Sequence, residues 1–338
     1  MLVVGLDIGG ANLKAATSDA AAIDRPFPLW QFPERLVEEL ELLLAALPRP
    51  DLIAVTMTGE IADCFPSKAE GVRQIVQAAR LAAAGRPLLF WQTGDEFVGP
   101  DEATDLSRLV AAANWHALAT FSGRVVPRGA GLLIDVGSTT TDIVPLVDGR
   151  VVAAGLTDLE RLRTGELIYT GATRTPVCAL GSSFSLAESS VTLAAELFAT
   201  MRDVYLLLGM LAEEPLSTDT ADGRPATREY ALRRLARMLC SDPDEVGDDC
   251  LHAMATELAG RQRMLIRWGL EQVLDRLAER PQVLISGSGA FVAQQVLAET
   301  PSLAGVVPVT IAELFERNVS RSACAFAVAR LAAERVTL

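Results

Sequence analysis

Near its start the chain runs GLDIGGANLKAATS, which brings Asp7, Gly9, Gly10, Asn12 and Lys14 into one short stretch. A carboxylate at the end of an apolar run, followed by glycines that leave backbone N–H groups open to an incoming oxygen, has the makings of a phosphate-binding turn. The carboxylate repels phosphate itself but suits a Mg2+ ion that bridges to it. Lys14 adds a point charge and, two residues beyond Asn12 along a strand, shares its face. LLIDVGSTTTDIVPL, from Leu132 to Leu146, repeats the pattern with Asp135, Gly137 and hydroxyls at Ser138, Thr139, Thr140 and Thr141. One such turn is as readily a tight hairpin whose Asp caps a neighbouring amide. Two matched turns, with Gly287, Ser288 and Gly289 following a third apolar run, point instead to a shared anion site.

Holding these groups in place requires elements that the apolar spacing supplies. Strand 2–8, a glycine turn and strand 12–18 form a hairpin, with LWQF at 29–32 as a third strand. Leu36, Leu40, Leu43, Leu44 and Leu47 make one stripe of a helix over 34–47, which Pro48 and Pro50 stop. A strand at 52–59, a helix from Ser67 to the residue before Gly85 and a strand at 87–93 follow; a short Gly/Pro/Asp region around GDEFVGPDEA then precedes a helix through Asn114, Trp115 and Ala119. Then the pattern restarts. LLIDVGS, TTTDIVPLVDG and RVVAAG read as strands, with Asp148-Gly149 as the turn between the last two, and 170–183 as a Gly/Thr/Ser-rich loop. Helices are expected at 186–211, 226–240 and 248–279, the last with a stripe of Leu251, Met254, Leu258, Leu265 and Trp268. The polar segment 213–227 is expected to be exposed or gating. VLISGSGAF enters the third glycine turn from a strand, VVPVT is a closing strand, and 317–335 a closing helix. The expected division is 1–128 and 129–338, with a helical insertion over 186–280 and the closing helix packed back on the first unit.

With 338 residues, half of them hydrophobic and 22% charged, the chain is long enough for two globular domains and is not disordered. Its net charge of −13, with no Lys/Arg cluster, disfavours a nucleic-acid partner, so a bound phosphate would belong to a small ligand and need local donors and a metal. MLVVGLDIGG has no basic leader region and no apolar stretch is long enough to span a bilayer without charges, so a cytoplasmic protein without a membrane partner is expected. Five cysteines without a C-x-x-C pair argue against a disulfide framework or zinc site and read as buried thiols. His116 and His252, the only histidines, leave little for a Ser-His-Asp or His-metal mechanism; His116 reads as a packed helix residue. Cys64 is assigned no nucleophilic role. The oligomeric state stays open, a homodimer being one arrangement the sequence allows.

The three glycine motifs together resemble those of the acetate and sugar kinase, heat-shock chaperone and actin superfamily, whose phosphate motifs line a cleft between two related domains. That resemblance implies an α/β, two-domain actin-like ATPase (ribonuclease H-like) fold with a cleft between the domains, here with a helical second half. TMTGEIADCFPSKAEGV at 56–72, Asn114-Trp115-His116-Ala117, GSTTTDIVPL at 137–146 and TGATRTPV at 170–177 are similar to a narrower group. This is the hydantoinase/oxoprolinase-like family found with tetrahydromethanopterin-linked one-carbon genes, whose archaeal members make methanofuran. In that family a synthase joins an aminomethylfuran-methyl diphosphate to the phenol of a γ-glutamyl-tyramine and releases pyrophosphate. The resemblance therefore implies Mg2+-dependent transferase chemistry on a diphosphate, without ATP hydrolysis.

A furan-methyl carbon losing pyrophosphate builds positive charge on carbon and negative charge on the leaving oxygens, which calls for electrostatic stabilisation more than for a covalent nucleophile. On this reading Asp7 and Asp135 hold Mg2+, directly or through water. Gly9, Gly10, Asn12, Gly137, Ser138, Thr139 and Thr140 contact phosphate, Gly287, Ser288 and Gly289 line the cleft, and Lys14 neutralises developing charge unless it is simply a solvated strand residue. The acceptor phenol, with a pKa of about 10 in free tyrosine, needs a base. Glu60 and Asp63, just past a strand end, are candidates, the alternative being that they cap the helix near Ser67 or face solvent. Asp142 would be a third acidic site residue, and Arg174 a fork for a substrate carboxylate or phosphate, or else a surface group. Two rival readings remain. One is an ATP-dependent small-molecule kinase or hydantoinase/oxoprolinase-type enzyme with SGSGA against the adenine ribose; the other is a non-catalytic nucleotide-binding switch.

Overall fold

The computed structural model describes residues 1–186, 189–314, 319 and 321–337. Two six-stranded sheets share one plan. In the first, β1 (Val3–Ile8) and β2 (Asn12–Thr17) form an antiparallel hairpin and β3 (Ala22–Pro26) extends it; β4 (Leu52–Met57) and β5 (Leu88–Gln92) run parallel to β1 on its other side, with β6 (Glu96–Val98) at the edge. In the second, β7 (Ala130–Val136) and β8 (Thr141–Val147) form the hairpin, and β9 (Arg150–Val151) and β10 (Leu167–Ile168) both pair with β8. After a separate hairpin of β11 (Ser183–Leu186) and β12 (Ser189–Thr192), β13 (Gln282–Ser286) and β14 (Val309–Thr310) lie parallel to β7 and to each other. A hairpin followed by crossovers to parallel strands is the ribonuclease H-like order. Present twice, it makes this an α/β protein of the actin-like ATPase fold.

Helices cover both sheets. On the outer face of the first lie α1 (Leu36–Ala45) and α2 (Lys68–Ala83), followed by the short α3 (Pro100–Asp105) and α4 (Ser107–Val110). The layer between the sheets holds α5 (Asn114–Ser122) and the C-terminal helix Ala323–Arg335, packed among residues of both sheets. After α6 (Asp158–Thr164) come α7 (Met201–Leu207), α8 (Arg228–Arg237), α9 (Pro243–Val246), α10 (Asp248–Leu274) and α11 (Ala290–Ala298), most of which build the outer core of the second sheet, and then α12 (Ile311–Leu314).

Gly5 lets the middle layer close. A Cβ there would lie 1.9 Å from the Ala325 carbonyl oxygen, so the alanine-rich C-terminal helix rests directly on β1. Strand alternation then sets the site. Val3, Ala16, Ala54, Leu133, Val144 and Leu284 all face the middle layer. Asp7, Lys14, Thr56, Asp135, Asp142 and Ser286 have the same parity on the same strands, so they stand on the two facing sheet surfaces.

Several expected elements differ. The third strand is Ala22–Pro26; LWQF turns instead, with Leu29 buried but Trp30, Gln31 and Phe32 all exposed, and the exposed Gln31 breaks strand alternation. The Gly/Pro/Asp region around GDEFVGPDEA, to which apolar spacing assigns no element, contributes β6 and the start of α3. The helix expected at 186–211 is a β-hairpin followed by the short α7; Phe184 is buried between more exposed Ser183 and Ser185, a period of two that helix spacing misreads. On α10 the stripe runs through Leu251, Met254 and Leu258, then Gln262, Ile266, Leu270 and Val273, leaving Leu265 and Trp268 exposed. The polar segment 213–227 is largely exposed, as expected, and is also tied down, because Asp222 accepts from Arg234 at 2.9 Å and from Arg237 at 3.2 Å. Of the five thiols Cys324 is buried, whereas Cys240 is exposed and the other three are intermediate. The closing helix covers Ala323–Arg335; positions 317, 318 and 320 of the expected span lie outside the described residues. Among the described residues no helix is long and apolar enough to cross a membrane.

Candidate active site

The two turns are one device built twice. The Gly9 N–H donates to the Asn12 carbonyl at 3.0 Å, and the Gly137 N–H to the Thr140 carbonyl at 2.8 Å. Asp7 stands opposite Lys14 and in register with Thr56 of β4; Asp135 stands opposite Asp142 and in register with Ser286 of β13. Just past those parallel strands, the Gly59 N–H donates to the Ile8 carbonyl at 2.9 Å and the Gly289 N–H to the Val136 carbonyl at 2.8 Å. Gly287, at φ +89°, brings the third motif against Asp135: a Cβ would lie 2.1 Å from the Val136 carbonyl oxygen and 2.6 Å from Asp135 Oδ1. The second turn has an extra clamp, as the Ala172 and Arg174 N–H groups donate to the Gly137 and Ser138 carbonyls, each at 2.9 Å. Behind that clamp the buried Gln262 donates to Thr170 Oγ1 at 2.7 Å and to the Gly171 carbonyl at 2.8 Å, while accepting from the Tyr205 hydroxyl at 2.5 Å.

Charges from both sheets meet at the floor of the gap. Burial raises the Asp7 carboxyl above its ordinary pKa; Lys14 opposes this and Asp24 adds to it. Burial alone would depress the Lys14 ammonium, yet Asp7, Cys324, Asp24 and Asp135 together hold it above the usual lysine value. Burial, then Asp142, pushes Asp135 up to about 7, with Ser286 and Lys14 opposing and Asp7 contributing. The thiol of Cys324, in the first turn of the C-terminal helix, is raised by burial and by Asp7 and Asp135, and it accepts from Asn114 Nδ2 at 3.8 Å. Residues of both hairpins therefore feel one another across the gap. Asp7 Oδ1, Asp135 Oδ1 and Asp24 Oδ1 are buried without a hydrogen-bond partner. A plain hairpin cap would have used those oxygens on amides.

A second cluster lies along the same seam. Glu60 is 1% exposed, and neither carboxylate oxygen has a hydrogen bond. The backbone of α2 packs directly beneath it, since a Cβ on Gly71 would meet the Glu60 carbonyl oxygen at 2.2 Å. Lys68 Nζ is 3.8 Å from Glu60 Oε1 but 2.6 Å from Asp158 Oδ2 on α6, and so ties the first sheet's layer to the second's. Burial raises the Glu60 pKa; Lys68 opposes it, Asp158 reinforces it, and the amides of Glu60 and Ala112 ease it without closing a hydrogen bond. The same α6 carries Arg161, fully buried, 2.9 Å from Asp142 Oδ1 and stacked 3.8 Å over the Trp115 ring.

The structure brings Asp7, Lys14, Asp135 and Asp142 together with Gly9, Gly10, Asn12, Gly137, Ser138, Thr139 and Thr140 at the two turns, and Gly287 and Gly289 beside Asp135. Asp142 is committed to Arg161 rather than free. Asp63, Arg174 and Ser288 have exposed side chains, and Ser67 itself caps α2, accepting from the Glu70 N–H at 3.2 Å. His116 is buried and accepts from the Trp91 indole at 3.3 Å, as a packed residue should. Sequence reasoning passed over Asp24, Lys68, Asp158, Arg161 and Cys324. Asp24 had a signal, since placing β3 at Ala22–Pro26 puts it opposite Lys14.

Mg2+ fits the donors in a limited way. Among the described residues no group of three or more His, Cys, Asp or Glu side chains is placed to hold a metal ion. The orphaned oxygens of Asp7 and Asp135 offer one carboxylate from each turn, which suits an ion that takes its remaining ligands from phosphate and water.

A family model described as hydantoinase/oxoprolinase matches residues 51–335. The chain is 34% identical over 335 residues to the (4-{4-[2-(gamma-L-glutamylamino)ethyl]phenoxymethyl}furan-2-yl)methanamine synthase of Methanocaldococcus jannaschii, covering 98% of this chain and 97% of that protein. The synthase of the same name from Methanococcus vannielii is 34% identical over 203 residues, covering 59% of this chain and 89% of that one. Among solved structures, nucleotide-free acetone carboxylase is similar in fold, with a TM-score of 0.50 at 10% identity over 86% of this chain and 66% of that one.

Proposed function

This chain belongs to the hydantoinase/oxoprolinase family, and from that premise we propose that it is a transferase of methanofuran-type cofactor biosynthesis. It condenses an aminomethylfuran-methyl diphosphate with the phenol of a tyramine- or tyrosine-derived acceptor, forming an aryl ether and releasing pyrophosphate. One observation carries this reading: a relative 34% identical over almost the whole chain is named for a product with a phenoxymethyl link between an aromatic ring and a furan. Making that link by displacement needs a leaving group that the protein can stabilise and a phenol that gives up its proton.

The two facing turns suit the first need. Backbone N–H groups beyond Gly9 and Gly137, with the hydroxyls of Ser138, Thr139 and Thr140, would hold the diphosphate, and the ammonium of Lys14 lies beneath it to meet charge as the C–O bond breaks. Asp7 and Asp135 would hold Mg2+, which would supply further neutralisation of the diphosphate. The phenol oxygen forms the new bond to the furan-methyl carbon as the electron pair of the old bond leaves on pyrophosphate. Glu60 accepts the phenolic proton. Its buried, unpartnered oxygens and raised pKa suit a base better than the exposed Asp63.

The test is to incubate purified protein with the furan diphosphate, a phenolic acceptor and Mg2+ and to follow pyrophosphate. Release with ether formation is expected, and Asp7→Asn or Asp135→Asn should each lower kcat by about 100-fold or more with an unchanged circular dichroism spectrum. Phosphoryl transfer from ATP, with no pyrophosphate from the furan substrate, would instead establish the kinase alternative.

A further inference from the structure

Glu60, Lys68 and Asp158 form the one ion-pair cluster described above that joins the layer of the first sheet to that of the second along the site's own seam. Lys68 stands at the start of α2, just beyond the Ser67 cap, and Glu60 belongs to the turn after β4. Asp158 opens α6, and Thr157 and Glu160 form a reciprocal capping box that fixes the helix start from which its side chain projects. Lys68 therefore has two acidic neighbours on opposite sides of the gap, and it is more than an ångström closer to the one across it: 2.6 Å to Asp158 against 3.8 Å to Glu60. Among the described charged groups, these two are the ones that bear on Glu60; the remaining polar neighbours are the amides of Glu60 and Ala112.

We propose that Lys68 and Asp158 are positioning residues that act as a latch: when the two sheets stand in this relation Asp158 draws the Lys68 ammonium off Glu60, so that Glu60 becomes a competent base only in the closed molecule. This rests on the reading in which Glu60 takes the phenolic proton. Without Asp158 in reach, the nearest partner for the Lys68 ammonium is Glu60 itself, and a carboxylate paired directly with an ammonium is a poorer proton acceptor. The helix that carries Asp158 also senses the other side of the site. Through Arg161 it grips Asp142, opposite Asp135, and leans on Trp115 of the middle layer, so one helix links the second turn to the latch.

The two halves of the latch make opposite predictions. Asp158→Asn leaves Lys68 to pair with Glu60, so the acidic limb of the kcat profile should move to lower pH by about one unit while the plateau falls. Lys68→Met removes the cation, and the limb should move to higher pH by a similar amount. A merely structural ion pair would lower stability in both variants and leave the limb where it was, which would overturn the proposal, as would shifts in the same direction. The carboxyl titration of Glu60, taken from infrared difference spectra of each protein against its Glu60→Gln counterpart, gives the same comparison without turnover. If the wild type releases no pyrophosphate, the proposed reaction fails, whereas opposite infrared shifts would still sustain the latch.

Discussion

Lys14 is the group on which the two turns converge, being a half-buried ammonium among Asp7, Asp24 and Asp135. Replacing it by Met removes the cation that the carboxylates share and leaves them facing one another. Lys14→Met should lower kcat for pyrophosphate release by about 100-fold. It should also lower the urea midpoint, an effect that added Mg2+ partly reverses, measured by denaturation with and without the ion. Asp7, Lys14 and Asp135 were legible in the sequence because a glycine turn fixes the register of a hairpin, and register decides which side chains stand opposite. Cys324 and Asp158 were not, since each reaches the site through contacts between elements far apart in the chain, which local spacing does not encode. Glu60 was picked out only as a loop acid near a strand end; that it is buried without a hydrogen bond depends on Gly71 and the packing of α2.

At the scale of elements, the strands and long helices of the first unit follow their apolar spacing closely, and the leucine stripe of α1 is buried as read. The misreading at 186–211 arises where apolar residues are interspersed with Ser and Thr, so that period two and period 3.6 fit about equally well and tertiary pairing decides; at 29–32 the chain, flanked by Pro28 and Pro33, turns instead. Glycine at position 5 could be read as a strand residue, but not as the point where a helix touches the sheet. Gly5→Ala should destabilise the protein by about 3 kcal/mol or more, because the new methyl meets backbone that cannot move without shifting the whole C-terminal helix. Chemical denaturation would show it as a lower midpoint. A second-site change at Ala325 should not rescue it, since the clash is with a carbonyl oxygen.

For the whole molecule, a net charge of −13 surrounds a site proposed to take a diphosphate. Long-range repulsion then slows encounter, and salt screens it. Raising ionic strength from about 20 to 150 mM at fixed free Mg2+ should lower KM for the diphosphate substrate and leave kcat nearly unchanged, the reverse of what a basic phosphate-binding protein shows. Steady-state kinetics across a salt series would measure it. The duplicated plan explains why so much of the site could be anticipated from two short motifs, while the contrast of Lys14 with Asp142 at matching register gives the cleft unequal sides.

The C-terminal helix has a consequence for how the molecule is made. Arg330 Nη1 donates to the Ser18 carbonyl, 312 positions earlier, and Ala325 rests on Gly5. β1 and β2 are thus made some 300 residues ahead of the segment that covers their inner surface, as the 312 positions between Ser18 and Arg330 show. Until it arrives α5 alone fills the layer between the sheets and much of their facing aliphatic surface stays open, so the tertiary folding of both sheets should finish only after that helix is made.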